Sequence, residues 1–561
     1  MLYVKRPWSH PEPKKPIVQR QLTANPSENP VLAASISLDG KQLAYYDRGK
    51  GLTLMLVDSG EKRTFPNSAT MIPQDWYPDG THLLVGGGGF TKTVQKMSVL
   101  DGTTKRILDL GEDFDLTLSP DGSQIAFVKD LSKGDMWLMT ADVGEPRRIL
   151  SVAPAKIYSF TWSPSSRRII YLRYSPKEIA LESCDTDGGH LVSALVNSRF
   201  QGANGLGGLA WLGNGSVLFR LSEPAPNKKF DNIWSLNVDP DTGRVRGQPI
   251  EVTTGPGFSP RRFSASSDGK RFVYLRSRTA DSARIAKLQP VTGELGGFQL
   301  LAGEEWDKWP VGWSKDSQSV IFLSKPQGNL GIFQQNLRTR NTEPLVSGPN
   351  RYRRPVLTPD GLSLLFTQTD SGGTSGNSMS IMRMPIGGGP ATLVLKGTYS
   401  YDCALRANVC VLSYIKDDKR AFAYLDPVKG PGRDFAQAAT TSMPEWRLSP
   451  DGKNIALFPE QEQSKIQILP VDGSRSQYID ITGVRLQSLA WSSDNQHLYV
   501  SGGLGPGWVI LRVGLDGKFQ KLSETAGGEG WLFLAGPSPD EHYLSYGLRT
   551  LEANAVMLEN F

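Results

Sequence analysis

A motif that recurs about every 46 residues is the feature that most limits what this chain can fold into. An apolar residue is followed by Ser or Thr, often by Pro, then by Asp-Gly and an alternating apolar stretch, as in LSPDGSQIAFVK around Asp121. A fixed period of this size indicates a repeat architecture in which each unit packs on its neighbours. Twelve units run along the chain, centred on Asp39, Asp79, Asp121, Ser165, Asn214, Asp268, Asp316, Asp360, Ala407, Asp451, Asp494 and Asp540.

Within each unit the apolar residues alternate with a period of two, and Asp-Gly, Gly-Gly or Pro interrupts them. This pattern predicts strands joined by tight turns rather than helices. Four strands fit into each unit, and a repeated four-stranded antiparallel sheet is typical of the blades of a β-propeller. We therefore expect an all-β fold.

Twelve blades exceed the usual four to eight of one ring, so the chain is expected to form two tandem six-bladed propellers, with seven plus five blades as the alternative. VQRQLT (18–23) is expected to complete the sixth unit, and GFQLLAG (297–303) to complete the twelfth. This count predicts a basic, Pro-rich tail over 1–17, a first propeller over 18–293 and a second over 294–561, with the boundary near Gly293.

Two residues of the motif invite a functional interpretation. The repeated Asp could serve a metal or acid–base chemistry, but capping of a turn by hydrogen bonds to its own backbone is the stronger interpretation. The position three before that Asp is apolar in eleven units and is often Trp, as at Trp76 and Trp491. A Trp stripe could stack bases or sugars, but one Trp at a fixed place in each blade favours filler between neighbouring sheets.

The net charge of +6 is concentrated in the first 20 residues, and the remainder is nearly neutral. A nucleic-acid reader usually concentrates its basic residues on one folded face, so we expect no direct contact with DNA or RNA. No stretch of about 20 apolar residues is present, and the basic start lacks the apolar core of a secretory signal. The sequence therefore predicts neither a transmembrane helix nor an export signal.

Catalytic motifs are missing: there is no nucleophile elbow, no HExxH, no phosphate-binding loop and no dinucleotide fingerprint. We expect a non-enzymatic protein without cofactor or metal. A ligand site is expected on the loops that lead from the last strand of one blade to the first strand of the next, because these converge on the central channel. The strongest candidates there are Arg261 and Arg262 in the first ring, and Glu305, Trp306, Asp307, Arg351, Arg353, Arg354, Glu445 and Arg447 in the second.

The run RYRR at 351–354 would suit an acidic ligand or partner surface. The alternative is a solvated rim that pairs with neighbouring Glu and Asp. The same loops also carry Asp75, Asp113, Asp115, Tyr158, Glu304, Tyr352 and Trp446.

Three cysteines are too few for a disulfide scaffold and lack paired zinc-ligand spacing. Cys403 and Cys410 flank a predicted turn, one on each candidate strand, where facing positions come within disulfide reach. The spacing leaves open whether they form a bridge or are two small buried hydrophobic residues. A bridge would indicate an oxidising compartment.

The units resemble the WD40-like PD40 repeats of TolB-type propellers through their WSPDG-like and LSPDG turns. Three segments are more specific: RQLTANPSENPVLAASISLDGKQLAYYDRG (20–49), DCALRANVCVLSY (402–414) and FAYLDPVKGPGRDF (422–435). They resemble the propeller region of bacterial, chiefly acidobacterial, winged-helix (CadC-like) regulators and membrane Ser/Thr kinases. In that family the effector domain is cytoplasmic, and the propellers follow a single transmembrane helix.

This resemblance implies a periplasmic sensor or binding module for a protein, a peptide or another ligand, with Cys403 and Cys410 paired. The basic start looks like the remainder of a juxtamembrane segment, so membrane attachment is expected only through a missing N-terminal anchor. If this chain is complete, a cytoplasmic location is expected instead. The alternatives are a TolB-like periplasmic adaptor and the propeller of a peptidase similar to dipeptidyl peptidase IV.

Overall fold

The computed structural model describes most of the chain between Ile17 and Asn560. No helix occurs within these described residues, and 46 strands make up the regular structure. The segments left out of the description are 1–16, 28, 48, 87–92, 111–114, 131–132, 143, 176–177, 198, 201–207, 223–230, 255–256, 290–293, 302–306, 327–329, 370–378, 439–444, 460–461, 463, 505–506, 526–531 and 561.

The chain divides into two compact units, of which unit 1 comprises 1–278 with 552–561 and unit 2 comprises 279–551. Five four-stranded antiparallel sheets of unit 1 each follow the order of the sequence. Their strands are β2 (Val31–Ile36), β3 (Gln42–Asp47), β4 (Gly51–Leu56) and β5 (Lys62–Thr64); β6 (Pro73–Trp76), β7 (His82–Val85), β8 (Thr93–Ser98) and β9 (Thr104–Asp109); β10 (Asp115–Leu118), β11 (Gln124–Val128), β12 (Asp135–Thr140) and β13 (Arg147–Ser151); β14 (Lys156–Trp162), β15 (Arg168–Tyr174), β16 (Ile179–Asp185) and β17 (Val192–Val196); β18 (Leu209–Trp211), β19 (Ser216–Ser222), β20 (Asp231–Val238) and β21 (Val245–Glu251).

Unit 2 contains five sheets of the same kind. Their strands are β25 (Lys308–Trp313), β26 (Ser319–Ser324), β27 (Gly331–Asn336) and β28 (Thr342–Val346); β29 (Arg351–Leu357), β30 (Ser363–Thr369), β31 (Met379–Pro385) and β32 (Thr392–Lys396); β33 (Ser400–Cys403), β34 (Cys410–Lys416), β35 (Lys419–Asp426) and β36 (Gly430–Ala438); β37 (Trp446–Leu448), β38 (Asn454–Leu457), β39 (Lys465–Pro470) and β40 (Gln477–Asp480); β41 (Arg485–Trp491), β42 (His497–Leu504), β43 (Gly507–Gly514) and β44 (Phe519–Glu524). The predicted all-β propeller fold is confirmed.

The eleventh sheet contains two long strands, and each of them contributes one half to each unit. In unit 1 its strands run in the order β22, first half of β23, second half of β46, β1, and in unit 2 in the order β45, first half of β46, second half of β23, β24. Each unit thus has five whole sheets and four strands of the eleventh sheet. Six blades per unit would give this arrangement. The strands are β1 (Val18–Gln21), β22 (Ser259–Ala265), β23 (Arg271–Leu288), β24 (Leu295–Leu300), β45 (Leu532–Pro537) and β46 (Tyr543–Glu559).

This chain path differs from the predicted division at Gly293, because the third strands of the sixth and twelfth units are exchanged. Val18 pairs with Glu559 rather than with the strand that ends at Leu288. In the other units a segment with turn-forming or polar residues separates the second strand from the third. At RTADS (278–282) and RTLEA (549–553), β23 and β46 instead continue without a turn.

The repeated Asp residues cap the turns between the first and second strands, as predicted. Ser37 Oγ donates to Asp39 Oδ1 at 2.6 Å, and the same oxygen accepts the Lys41 amide at 3.0 Å. The hydrogen bond from Ser37 lowers the pKa of Asp39. Gly40 follows with a φ of 73°, which favours glycine.

The Trp residues of the motif lie between neighbouring sheets. In four of them Nε1 donates to a backbone carbonyl of the adjacent sheet, from Trp76 to Ser35 at 3.0 Å, from Trp162 to Thr117 at 3.3 Å, from Trp313 to Gly536 at 3.0 Å and from Trp491 to Arg447 at 3.0 Å. The buried Nε1 of Trp211 has no hydrogen-bond partner within the described residues. The core consists of clusters of buried residues that two neighbouring sheets share. This placement supports the interpretation of the Trp stripe as filler between sheets.

Each unit closes into a ring through contacts between its first and last sheets. In unit 1, Ser264 Oγ accepts the amide of Ile36 at 3.0 Å. In unit 2, the contact of Trp313 with Gly536 has the same role, together with a 3.1 Å bond from the Asp540 amide to Ser317 Oγ.

Candidate functional site

The predicted site residues fall into three groups, one in unit 1 and two in unit 2. Unit 1 holds Arg261 and Arg262 on β22. In unit 2, Arg354, Glu445 and Arg447 form one group, and Asp307, Arg351 and Arg353 lie in the other. The predicted residues Asp113, Glu304, Glu305 and Trp306 lie outside the described residues.

Arg262 reaches across the centre of unit 1. It has a φ of 54° at a bulge in β22, where the pairing with β23 shifts register. Its Nη1 donates to Gln74 Oε1 at 3.2 Å. Strands β6 and β22 each pack against β2 from opposite sides, so this bond joins two blades that are not neighbours and places the guanidinium at the ring centre.

Two half-buried carboxyl groups, Asp75 and Asp115, interact with Arg262. Burial raises the pKa of both groups to about 6, and the charge of Arg262 opposes that shift. Asp75 Oδ2 also accepts the amide of Leu118, on the next blade, at 2.8 Å. The centre of unit 1 therefore holds two acids and one base whose charges partly cancel, and both acids titrate close to neutral pH.

Arg354 occupies the corresponding bulge in unit 2, with a φ of 49° and a register shift in β29. Its Nη1 donates to Ser400 Oγ, which also accepts the indole N–H of Trp446 at 3.1 Å. The hydroxyl of Tyr401 donates to the Arg354 carbonyl at 2.7 Å. Arg354 keeps exposed surface, yet the surrounding protein lowers its pKa by desolvation.

Beside Arg354, Glu445 and Arg447 form an ion pair of 2.7 Å. Burial opposes the charge of Arg447, but Glu445 and Asp402 outweigh this effect and raise its pKa. Asp402 Oδ2 accepts the amide of Leu448 on the next blade at 3.0 Å, as Asp75 does in unit 1, and burial raises the pKa of Asp402. Sequence reasoning missed Asp402, although it directly precedes the first-strand residue Cys403 as Asp75 precedes Trp76.

The third group is a basic surface that we call the rim patch, formed by Lys325, Arg351 and Arg353. All three side chains are exposed, and within the described residues none of them forms an ion pair. Nζ of Lys325 lies 5.3 Å from the centroid of the Trp309 ring. Desolvation lowers the pKa of Lys325, as do Arg351 and Arg353, while Asp307 and Asp281 oppose this effect.

The acids beside the rim patch are already engaged. Asp281 forms a bidentate ion pair with Arg549, at 2.7 and 2.9 Å, and Asp307 Oδ1 accepts the Asp281 amide at 3.2 Å. Sequence reasoning missed Lys325, Asp281 and Arg549 because they lie where second strands meet third strands. That position is not part of the loops searched for ligands.

Cys403 and Cys410 face each other on β33 and β34, and a disulfide joins them. Cys184 is free and buried, and burial raises the pKa of its thiol to about 12. Within the part of the chain that the structure describes, no three His, Cys, Asp or Glu residues are grouped so that they could hold a metal ion. The same part contains no helix that is long and apolar enough to cross a membrane.

Comparison with known proteins identifies no family for this chain. No family model matches the chain, and no curated protein matches it. Among solved structures, the tricorn protease is similar over 91% of this chain, with 12% identity and a TM-score of 0.31, and this chain spans 59% of its length. A chain of a nidogen/laminin complex is similar over 44% of this chain and 93% of its own length, with 8% identity and a TM-score of 0.33.

Proposed function

We propose that this protein is a non-enzymatic binding module that takes an acidic peptide or an acidic protein surface at the rim patch of unit 2. The observation that carries the proposal is that Lys325, Arg351 and Arg353 place three positive charges together without an ion pair among the described residues. A guanidinium group binds a carboxylate in a bidentate manner. A ligand with several carboxylates would offset the repulsion that Arg351 and Arg353 exert on Lys325.

The role that fits such a module is the input part of a membrane-linked regulator or kinase. The sequence resemblance to the propellers of such sensors supports this role. The bridge between Cys403 and Cys410 supports an extracytoplasmic location, because disulfides persist in oxidising compartments.

A Glu-rich peptide labelled with a fluorophore tests the proposal by fluorescence anisotropy. We expect binding that weakens as salt is raised from about 50 to about 300 mM, because mobile ions screen exposed charges. The double variant Arg351→Gln/Arg353→Gln should bind roughly tenfold or more weakly, which corresponds to about 1.4 kcal/mol.

The matched control is Arg338→Gln/Arg475→Gln, which removes the same charge at two exposed arginines elsewhere on unit 2. This control should bind the peptide as the unmodified protein does. Equal weakening by both double variants would contradict a localised site and indicate attraction by net charge alone. Mass spectrometry of the recovered peptide should find it intact, and cleavage would contradict the non-enzymatic role.

A further inference from the structure

A cavity of about 100 Å³ lies in unit 1, and none of the predicted site residues lines it. Its wall is formed by the start of β20, the segment that leads into β22, the first half of β23 and β1. Asp231 and Arg276 contribute the charged groups of this wall, and Phe258 and Tyr274 contribute the aromatic ones.

The carboxylate of Asp231 is only half satisfied. The residue is 7% exposed, its Oδ2 lies 3.9 Å from Nη1 of the buried Arg220, and its Oδ1 has no hydrogen-bond partner within the described residues. A buried carboxylate oxygen without a donor is destabilising, because it has lost water and gained nothing in return. This oxygen therefore indicates a ligand that brings a hydrogen-bond donor.

Arg276 offers the opposite charge. Its guanidinium carbon lies 3.6 Å from the centroid of the Phe258 ring, and no ion pair engages it within the described part of unit 1. The Phe258 ring contacts the face of the Arg276 guanidinium. The N–H groups at the edges of the guanidinium, which are the groups that bind a carboxylate, do not take part in this contact. The cavity wall thus carries one acceptor and one cation in need of partners.

Two polar residues next to Asp231 in the wall, Asn232 and Thr253, already have hydrogen-bond partners. Asn232 Nδ2 donates to Glu251 Oε1 at 3.0 Å, and Thr253 Oγ1 accepts the Ile233 amide at 3.0 Å. The charged groups of the wall that are left for a ligand to satisfy are Asp231 Oδ1 and the guanidinium of Arg276.

The size of the cavity limits the ligand further. It is well below the roughly 300 to 1,000 Å³ of a typical small-molecule pocket, so the ligand must be small. We propose that this cavity binds the zwitterionic head group of a small α-amino acid, with the ammonium on Asp231 and the carboxylate on Arg276. This site is separate from the rim patch and does not depend on the function proposed there.

Isothermal titration calorimetry on the full chain tests this proposal with glycine and L-alanine, and with methylamine and acetate as probes of a single charge. We expect glycine or L-alanine to bind with a Kd of about 1 mM or lower, which is within the limit that so few atoms allow. Methylamine and acetate should bind at least tenfold more weakly. Equal affinity for methylamine would overturn the zwitterion assignment, and so would the absence of binding by both amino acids.

Two variants locate the site. Asp231→Asn and Arg276→Gln should each weaken amino-acid binding at least tenfold, because each removes one charge-assisted contact. Their controls are Asp241→Asn and Arg244→Gln, which change exposed residues of the neighbouring turn and should leave the Kd within about twofold. Asp231→Asn removes the partner of Arg220 and could therefore prevent folding. In that case Arg276→Gln alone tests the proposal, because it leaves the ion pair between Arg220 and Asp231 in place. An unchanged Kd in Arg276→Gln would overturn the proposal.

Discussion

Replacement of Asp115 by Asn should stabilise unit 1 relative to the unmodified protein, and by more at neutral pH than at acid pH. In an unfolded chain this carboxyl group titrates near pH 3.9, whereas burial raises its pKa to about 6 in the fold. Between these values the native state holds more protons than the unfolded state, so the stability of the unmodified protein falls as pH rises. The destabilisation is absent well below pH 4 and complete above about pH 6.

The magnitude follows from the difference between the two pKa values. About two pKa units correspond to about 3 kcal/mol in total, of which about 2 kcal/mol develops between pH 4.5 and 7.5. Unit 1 has about 290 residues, and unfolding entropies of about 2.1 cal/mol/K per residue convert 2 kcal/mol into a shift of about 3 °C in Tm. Asn is close in shape to the protonated acid and does not ionise.

Differential scanning calorimetry at pH 4.5, 5.5, 6.5 and 7.5 measures this shift. The Tm of Asp115→Asn minus that of the unmodified protein should rise by about 3 °C across the series. Asp39→Asn is the control of opposite sign, because the hydrogen bond from Ser37 lowers the pKa of Asp39 and its contribution to stability is lost as pH falls. A difference that stays constant with pH for Asp115→Asn, or that falls as pH rises, would refute the reasoning.

Three further predictions concern the packing of the blades and the cysteines. Trp491→Phe should destabilise unit 2 by about 1 to 3 kcal/mol in a denaturant melt, because the Arg447 carbonyl loses its donor. Ser264→Ala should speed amide exchange of Ile36, whose N–H it leaves without an acceptor at the point where unit 1 closes; unchanged exchange would argue against closure there. Thiol titration of the denatured, non-reduced protein should find one free cysteine, Cys184, and a value of three would contradict the disulfide.

Much of the fold could be predicted because the period, the turn residues and the apolar alternation are all local features. The Asp39 turn and the Trp491 contact are examples in which the sequence pattern and the structure agree. The path of the chain through the eleventh sheet could not be obtained by counting units. Counting assumes a turn between the second and third strands of every unit, whereas β23 and β46 run through 278–282 and 549–553 without one.

The candidate site was predictable only in part, because it depends on contacts between residues that are distant in sequence. Arg262 and Arg354 were predicted on the loops between blades, whereas the structure places them within β22 and β29, at bulges where their φ is positive. Asp402 accepts an amide 46 residues away, and the partners of the cavity around Asp231 come from three separate blade strands. A single sequence without long-range pairing does not show such proximity.

Cross-linking between engineered cysteines tests most directly the claim that the last strand of the chain completes unit 1. In a background with Cys184→Ala, the pair Val18→Cys/Glu559→Cys places the two thiols on directly opposed residues of β1 and β46. We predict that this pair forms a disulfide under mild oxidation and that the pair Val18→Cys/Lys287→Cys does not, because Lys287 pairs with Gly296. Efficient cross-linking of Val18→Cys/Lys287→Cys, without cross-linking of the first pair, would show that each propeller closes on its own continuous segment and would contradict the account.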